Sequence, residues 1–142
     1  MPKIPLKTNN SDEFGTPEIA VNPLVKHLNR EWKIWEPSAT KSGIIDGLEK
    51  YGFKVIGTTT DFISTDVEFD CIVTNPPYTK KEEFLERAYS LGKPFAFLMP
   101  LTSLEGKIRQ SLYKKFGIQL IIPDRRINFL TPSGGGSGLP LT

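Results

Sequence analysis

The sequence predicts an α/β fold, a mostly parallel sheet with helices on both faces, and three observations carry that expectation. Short runs of strand length alternate with segments whose apolar residues recur at helical spacing. The run Phe69-Asp70-Cys71-Ile72-Val73-Thr74 is apolar at successive central positions, as a strand covered on both faces requires. Gly 12 and Pro 12 among 142 residues exceed the usual share, which points to working loops rather than a helical bundle.

Each element follows in order. Thr16-Pro17 opens a helix, with a hydroxyl N-cap, proline at the first helical position and Glu18 in the first turn. Ile19, Ala20, Leu24, Val25 and Leu28 continue it, and Pro23 divides it into two short pieces. Residues 33–36 form a strand closed by Pro37, and Ile44, Ile45, Leu48 and Tyr51 share one face of a helix over 43–51. Residues 53–56 are a second strand and 69–74 a third. A helix over 80–91 buries Phe84, Leu85, Ala88 and Leu91. Residues 95–99 are a fourth strand ended by Pro100. Thr102 or Ser103 then caps a helix that runs to Phe116 and stops at Gly117. Gln119-Leu120-Ile121-Ile122 and Ile127-Asn128-Phe129-Leu130 read as two further strands. Residues 1–12 and 132–142 are expected to be flexible, the latter because Ser133-Gly134-Gly135-Gly136-Ser137-Gly138 has the composition of a linker.

Composition narrows the class. With 38% hydrophobic and 24% charged residues the chain has a globular rather than a disordered make-up, and its length suits one domain, residues 1–142. No apolar run approaches the ~20 residues that cross a bilayer, and the N-terminus has no signal-peptide core. A single cysteine, Cys71, excludes an internal disulfide and a cysteine-cluster zinc site, so a reducing cytoplasm, no metal and no membrane are expected. The net charge of +2 is unevenly spread: residues 1–78 hold 8 Lys+Arg against 11 Asp+Glu, and residues 79–126 hold 10 against 5. Basic character gathers after Tyr78, as it would for contact with a polyanion, although solvated helix faces give the same signal.

In a parallel sheet, ligands bind beyond the carboxyl ends of the strands. Asn75-Pro76-Pro77-Tyr78 stands at one such end. Two prolines fix an extended turn and remove two amide donors, leaving the Asn75 oxygen and the Pro76 carbonyl as acceptors beside a projecting ring. Such a site suits a planar group bearing an NH2, and both a nucleobase amine and a carboxamide fit.

At these residues the chain resembles S-adenosylmethionine-dependent amino-methyltransferases, above all the DNA adenine-N6 methyltransferases of the Asn-Pro-Pro-Tyr type found in phages and plasmids. The resemblance implies a Rossmann-like methyltransferase fold. It also implies methyl transfer from S-adenosylmethionine to the N6 amine of an adenine flipped from duplex DNA, with Asn75, Pro76, Pro77 and Tyr78 as the catalytic segment. Phe14-Gly15-Thr16-Pro17 is similar to the segment that closes over the cofactor's methionine end. Trp35-Glu36-Pro37-Ser38-Ala39 looks like the start of the cofactor loop, with Glu36 towards the ammonium group and Gly43 serving as its glycine. Asp61-Phe62 resembles the pair that meets the cofactor's adenine. Arg125-Arg126-Ile127-Asn128-Phe129 is similar to the segment whose aromatic residue holds the extruded base. By the same reading Lys80, Lys81, Arg125 and Arg126 contact phosphates and Phe129 the nucleic acid.

The chain departs from that pattern at two places. Thr40 and Ser42 occupy the usual glycine positions of the cofactor loop, and Gly57-Thr58-Thr59-Thr60 lacks the acidic residue that binds the ribose hydroxyls. Two other functions therefore compete: a methyltransferase acting on RNA or on a protein glutamine amide, and a nucleic-acid-binding relative without catalysis. His27, Trp32, Trp35, Cys71 and Ser103 lie in no catalytic pattern and are expected to pack or cap. Only residues 58–69 separate the second and third strands, too few for the unit the full family fold has there, and the chain ends where a last strand would follow. An abbreviated catalytic domain without a target-recognition domain is expected, which leaves room for a homo-oligomer or a partner subunit.

Overall fold

A computed structural model describes residues 15–40 and 42–128. Expectations for Phe14, Phe129, Leu130 and the two flexible ends lie outside the described residues. Four strands, β1 (Lys33–Glu36), β2 (Lys54–Gly57), β3 (Cys71–Thr74) and β4 (Phe95–Phe97), form one sheet in the order β2-β1-β3-β4. All pairings are parallel, with Ile34 opposite both Val55 and Cys71, and Ile72 opposite Phe95.

Alternation along the strands divides the core into two layers. Ile34, Cys71 and Val73 point to one face, where helix α1 (Ile44–Lys50) brings Ile44 and Leu48 and the 3-10 turn Glu18–Val21 brings Val21. Trp35 and Ile72 point to the other face. They meet Phe62 and Phe69 from the β2–β3 connection and Phe84 and Ala88 from helix α2 (Lys81–Leu91). Trp35 lies 5.2 Å from Phe62 and 5.3 Å from Phe69, centroid to centroid, so this layer is built on aromatic edges. Helix α3 (Lys107–Phe116) packs on the outside of α2, and its Arg109 pairs with Glu82. Among the described residues no helix is long and apolar enough to cross a membrane.

Glycines 43 and 47 explain how closely the N-terminal segment lies on α1. A Cβ at Gly43 would stand 2.6 Å from the Thr16 carbonyl oxygen and 2.7 Å from the Glu18 nitrogen. One at Gly47 would stand 2.5 Å from the Glu18 carbonyl oxygen. Thr16 and Ser42 form a parallel bridge beside this contact, and the Gly43 N–H donates to the Thr16 carbonyl at 2.7 Å. Gly43 is thus packed closely against the backbone of the N-terminal segment.

Three local expectations are also corrected. Residues 16–28 form two 3-10 turns, Glu18–Val21 and Val25–His27, instead of α-helix, and Pro17, not Thr16, stands at the first N-cap without a side-chain cap. The Thr16 hydroxyl is engaged elsewhere. The long helix expected from Thr102 or Ser103 is instead a 3-10 turn, Leu101–Leu104, followed by α3. The break falls at Gly106, whose φ of +109° favours glycine and whose missing Cβ leaves room for the Arg109 guanidinium. Gln119-Leu120-Ile121-Ile122 is not a strand, nor are the described residues of the last expected strand, Ile127 and Asn128. After Gly117, whose carbonyl accepts from Tyr89 Oη at 2.7 Å, the chain leaves the sheet. Leu120, Ile121 and Ile122 border a groove of about 780 Å³ beside Val25, Leu28 and Tyr51.

Candidate active site at the strand ends

Neighbouring strands β1 and β3 send their connections opposite ways: β1 runs through α1 on one face to β2, and β3 runs through α2 on the other to β4. In parallel sheets, ligands bind where the chain diverges in this way, beyond the carboxyl ends of two such strands. Glu36 ends β1, Thr74 ends β3, and Asn75 follows it.

Glu36 is fully buried. Its Oε1 accepts from the Ser38 N–H at 2.9 Å and its Oε2 from the Ser42 hydroxyl at 2.6 Å. Ser42 Oγ in turn accepts from the Ile44 N–H at 3.1 Å, at the first turn of α1. The buried Thr74 hydroxyl faces the same carboxylate without closing a hydrogen bond of normal geometry. Burial holds the Glu36 carboxyl above the usual carboxylate range, against the Ser42 and Thr74 hydroxyls and the Ser38 amide, which pull it down. A buried carboxylate in this condition gains most from a cationic partner. The loops behind it are tied together: the Thr58 N–H donates to the Glu36 carbonyl, the Ala39 N–H to the Thr58 carbonyl, and Trp35 Nε1 to the Thr58 hydroxyl, each at 3.0 Å. Pro37, the next residue, is buried.

At the end of β3, Asn75 Nδ2 donates to Thr16 Oγ1 at 3.1 Å, a bond between residues 59 apart in sequence. Pro76 is buried, Pro77 is half-buried and starts a 3-10 turn over Tyr78–Lys80, and the Tyr78 ring is exposed. The Lys81 ammonium stands 4.5 Å from the centre of that ring. Hydrogen bonds thus tie Thr16, Glu36, Ser38, Ser42, Gly43 and Asn75 together at the carboxyl ends of β1 and β3, from three separate stretches of chain.

Other expected residues have different positions. Phe62 is 2% exposed, and its ring lies tilted against Phe84 at 4.6 Å within the core. Asp61 is exposed and closes its own turn, accepting from the Ile63 N–H at 3.1 Å and the Ser64 hydroxyl at 3.3 Å. Lys80 is exposed at the start of α2. Arg125 pairs with its neighbour Asp124 at 3.5 Å, and Arg126 is exposed in the irregular segment before the buried Ile127. Phe129 lies outside the described residues. Cys71 is buried mid-strand and its thiol is pushed up to about 12 by burial, which makes it an inert packing residue. Among the described residues no cluster of three or more His, Cys, Asp or Glu could hold a metal ion.

Two participants escaped the sequence reading. Ser42 counted there as a lost glycine, yet it orients the Glu36 carboxylate; a hydroxyl one residue before a helix N-cap is the signal that could have found it. Thr74 was read only as the end of a strand. Comparison of the chain with protein-family models, curated proteins and solved structures finds no match.

Proposed function

We propose that the chain is a Rossmann-like methyltransferase that moves a methyl group from S-adenosylmethionine to the N6 amine of adenine in DNA. The observation that carries this reading is the placing, at adjacent strand ends, of a buried carboxylate and an Asn-Pro-Pro-Tyr turn, linked through Ser42, Thr16 and Asn75. The donor set suits the cofactor's amino-acid end: Glu36 would meet its ammonium, with Thr16, Pro17 and Ser38 around it. It suits the ribose less well, because Gly57-Thr58-Thr59-Thr60 supplies hydroxyls and no carboxylate. The bound cofactor supplies one thing, an electrophilic methyl on a sulfonium.

The chain's own residues do the rest. Asn75 Oδ1 and the Pro76 carbonyl accept the two N–H bonds of the target amine, which draws its lone pair out of the ring and towards the methyl. With the cofactor bound, the methyl would pass to this amine as its bond to sulfur breaks, and the amine would lose one proton to solvent. Tyr78 stacks on the flipped base, a contact worth about 1–3 kcal/mol. Lys80, Lys81, Arg125 and Arg126 hold the flanking phosphates. The crevice lies in the cytoplasm on this reading, and a second copy or a partner chain adds whatever sequence recognition the enzyme has.

A second reading keeps the nucleic acid and drops the chemistry. It is favoured by Phe62, whose ring is buried in the core, and by the missing ribose carboxylate. Calorimetric titration with S-adenosylmethionine separates the two: the methyltransferase binds it with saturable heat, and no heat at millimolar cofactor overturns the enzyme. RNA and protein glutamine are the remaining substrates to offer beside duplex DNA.

A further inference from the structure

The groove beside the chain that leaves α3 shares no residue with the candidate active site. Leu120, Ile121 and Ile122, which are 54%, 43% and 75% exposed, give it an aliphatic wall that pairs with no edge of the sheet. Lys26, His27 and Arg30 share the lining, and no Asp or Glu does. All three are exposed, and none has a carboxylate partner among the described residues. Arg30 is held in place, since its guanidinium donates to the Tyr51 carbonyl and lies 4.7 Å from the centre of the Phe53 ring. An apolar trough with a basic rim fits a partner segment that carries an aliphatic anchor between carboxylates.

The same chain owns such a segment. No Lys or Arg falls between Lys54 and Lys80, and Asp61, Asp66, Glu68 and Asp70 all lie in the β2–β3 connection. Ile63, 38% exposed, stands between the first two. Asp66 pairs with Arg87 and Glu68 stands 3.8 Å from Lys33, yet their side chains stay 95% and 93% exposed, so both still present negative charge to solvent. We infer that the groove docks the β2–β3 connection of a second copy of this chain, with Ile63 in the aliphatic trough and the carboxylates against Lys26, His27 and Arg30. The two surfaces belong to opposite faces of the sheet. Val25 and Leu28 of the groove pack on the layer of Ile34, Cys71 and Val73, whereas Phe62 and Phe69 anchor the connection in the layer of Trp35 and Ile72. The contact is therefore heterologous, and copies add head to tail. Duplex DNA fits the groove less well, because its aliphatic wall offers nothing to a phosphate backbone. This assembly goes beyond the proposed methyl transfer and does not depend on it.

Sedimentation velocity of the full chain, from micromolar to near-millimolar protein, tests the contact. In low salt the weight-average sedimentation coefficient rises with concentration, and about 1 M salt, where the screening length falls to about 3 Å, returns it towards the monomer. Lys26→Glu and Glu68→Lys each reverse one exposed charge outside the candidate active site and weaken self-association by about 10-fold or more. Ile121→Ser replaces Lys26→Glu if that variant does not fold. Each of the two reversed variants keeps one working surface, so their equimolar mixture forms pairs and nothing larger, while the wild type grows beyond pairs. A monomer at every concentration overturns the inference, as does association that ignores salt or persists in both reversed variants. Assemblies larger than pairs from the mixture overturn it as well. Lys26→Glu that associates like the wild type but binds duplex DNA less tightly assigns the groove to nucleic acid instead. A chain that associates only after residues 129–142 are removed has its groove filled by its own C-terminal segment, which also overturns the inference. No arm reads methyl transfer, so each of these failures leaves the proposed function standing.

Discussion

At the scale of single residues, Glu36 and Gly43 show opposite demands in one loop. Glu36 is buried with only neutral donors, so its folded-state pKa lies above its unfolded value of 4.5. The folded protein therefore binds the proton more tightly than the unfolded chain. Its contribution to stability is complete below about pH 4.5 and is lost as pH rises through the folded pKa. Glu36→Gln keeps the acceptor for one donor and removes the charge. Melting curves at stepped pH are expected to show it matching the wild type at low pH and exceeding it above the folded pKa, while it loses affinity for S-adenosylmethionine. A wild-type advantage at neutral pH would contradict the assignment. If Glu36 holds the cofactor's ammonium as proposed, the affinity of the wild type for that cation is expected to rise over the same pH interval, since the ammonium would pair with the ionised carboxylate. Gly43→Ala places a methyl against fixed backbone and is expected to cost about 1–3 kcal/mol in urea unfolding. Gly57→Ala, whose Cβ would meet the Ile45 and Ala39 side chains, is expected to cost less.

At the scale of elements, the strands of the sheet were legible and the segment after α3 was not. Residues 33–36 read as a strand because an apolar pair precedes a strand-closing proline, and residues 71–74 because four successive positions are buried on two faces. Those signals are local. Gln119-Leu120-Ile121-Ile122 has the same β-branched composition but makes no pairing with an edge of the sheet, and composition cannot supply a partner. The start of α3 was misplaced because Thr102 and Ser103 look like caps, whereas Arg109 fixes the geometry by donating to the Ser103 carbonyl at 3.0 Å and pairing with Glu82. Arg109→Ala removes the tie between α3, the 3-10 turn and α2. Amide hydrogen exchange is expected to rise in α3 and the 3-10 turn while β1 and β3 stay protected, with an overall loss of about 1–3 kcal/mol. Equal exchange across the sheet would show that α3 is not a separable element. The site was legible in part: Asn75-Pro76-Pro77-Tyr78 and Glu36 declare themselves by residue type, but the bond from Thr16 to Asn75 spans 59 positions and only the fold brings its ends together.

At the scale of the whole molecule, the order β2-β1-β3-β4 explains why these residues meet at all. Helices on opposite faces, α1 after β1 and α2 after β3, force the chain apart between two adjacent strands, and the catalytic candidates end those strands. Between β2 and β3 the described chain has neither helix nor strand, and it uses that short connection to carry Phe62 and Phe69 into the aromatic core. Charge is unevenly divided, with the acidic half of the sequence holding Glu36 and the basic stretch after Tyr78 holding Lys80, Lys81, Arg125 and Arg126. The central claim is that this crevice methylates an adenine amine, and one measurement meets it directly. The protein is incubated with methyl-labelled S-adenosylmethionine and duplex DNA, and the DNA is digested to nucleosides. The account predicts label in N6-methyl-2′-deoxyadenosine from the wild type, reduced about 10²–10³-fold in Asn75→Ala. No label in the DNA at millimolar cofactor, or equal label from Asn75→Ala, would contradict it.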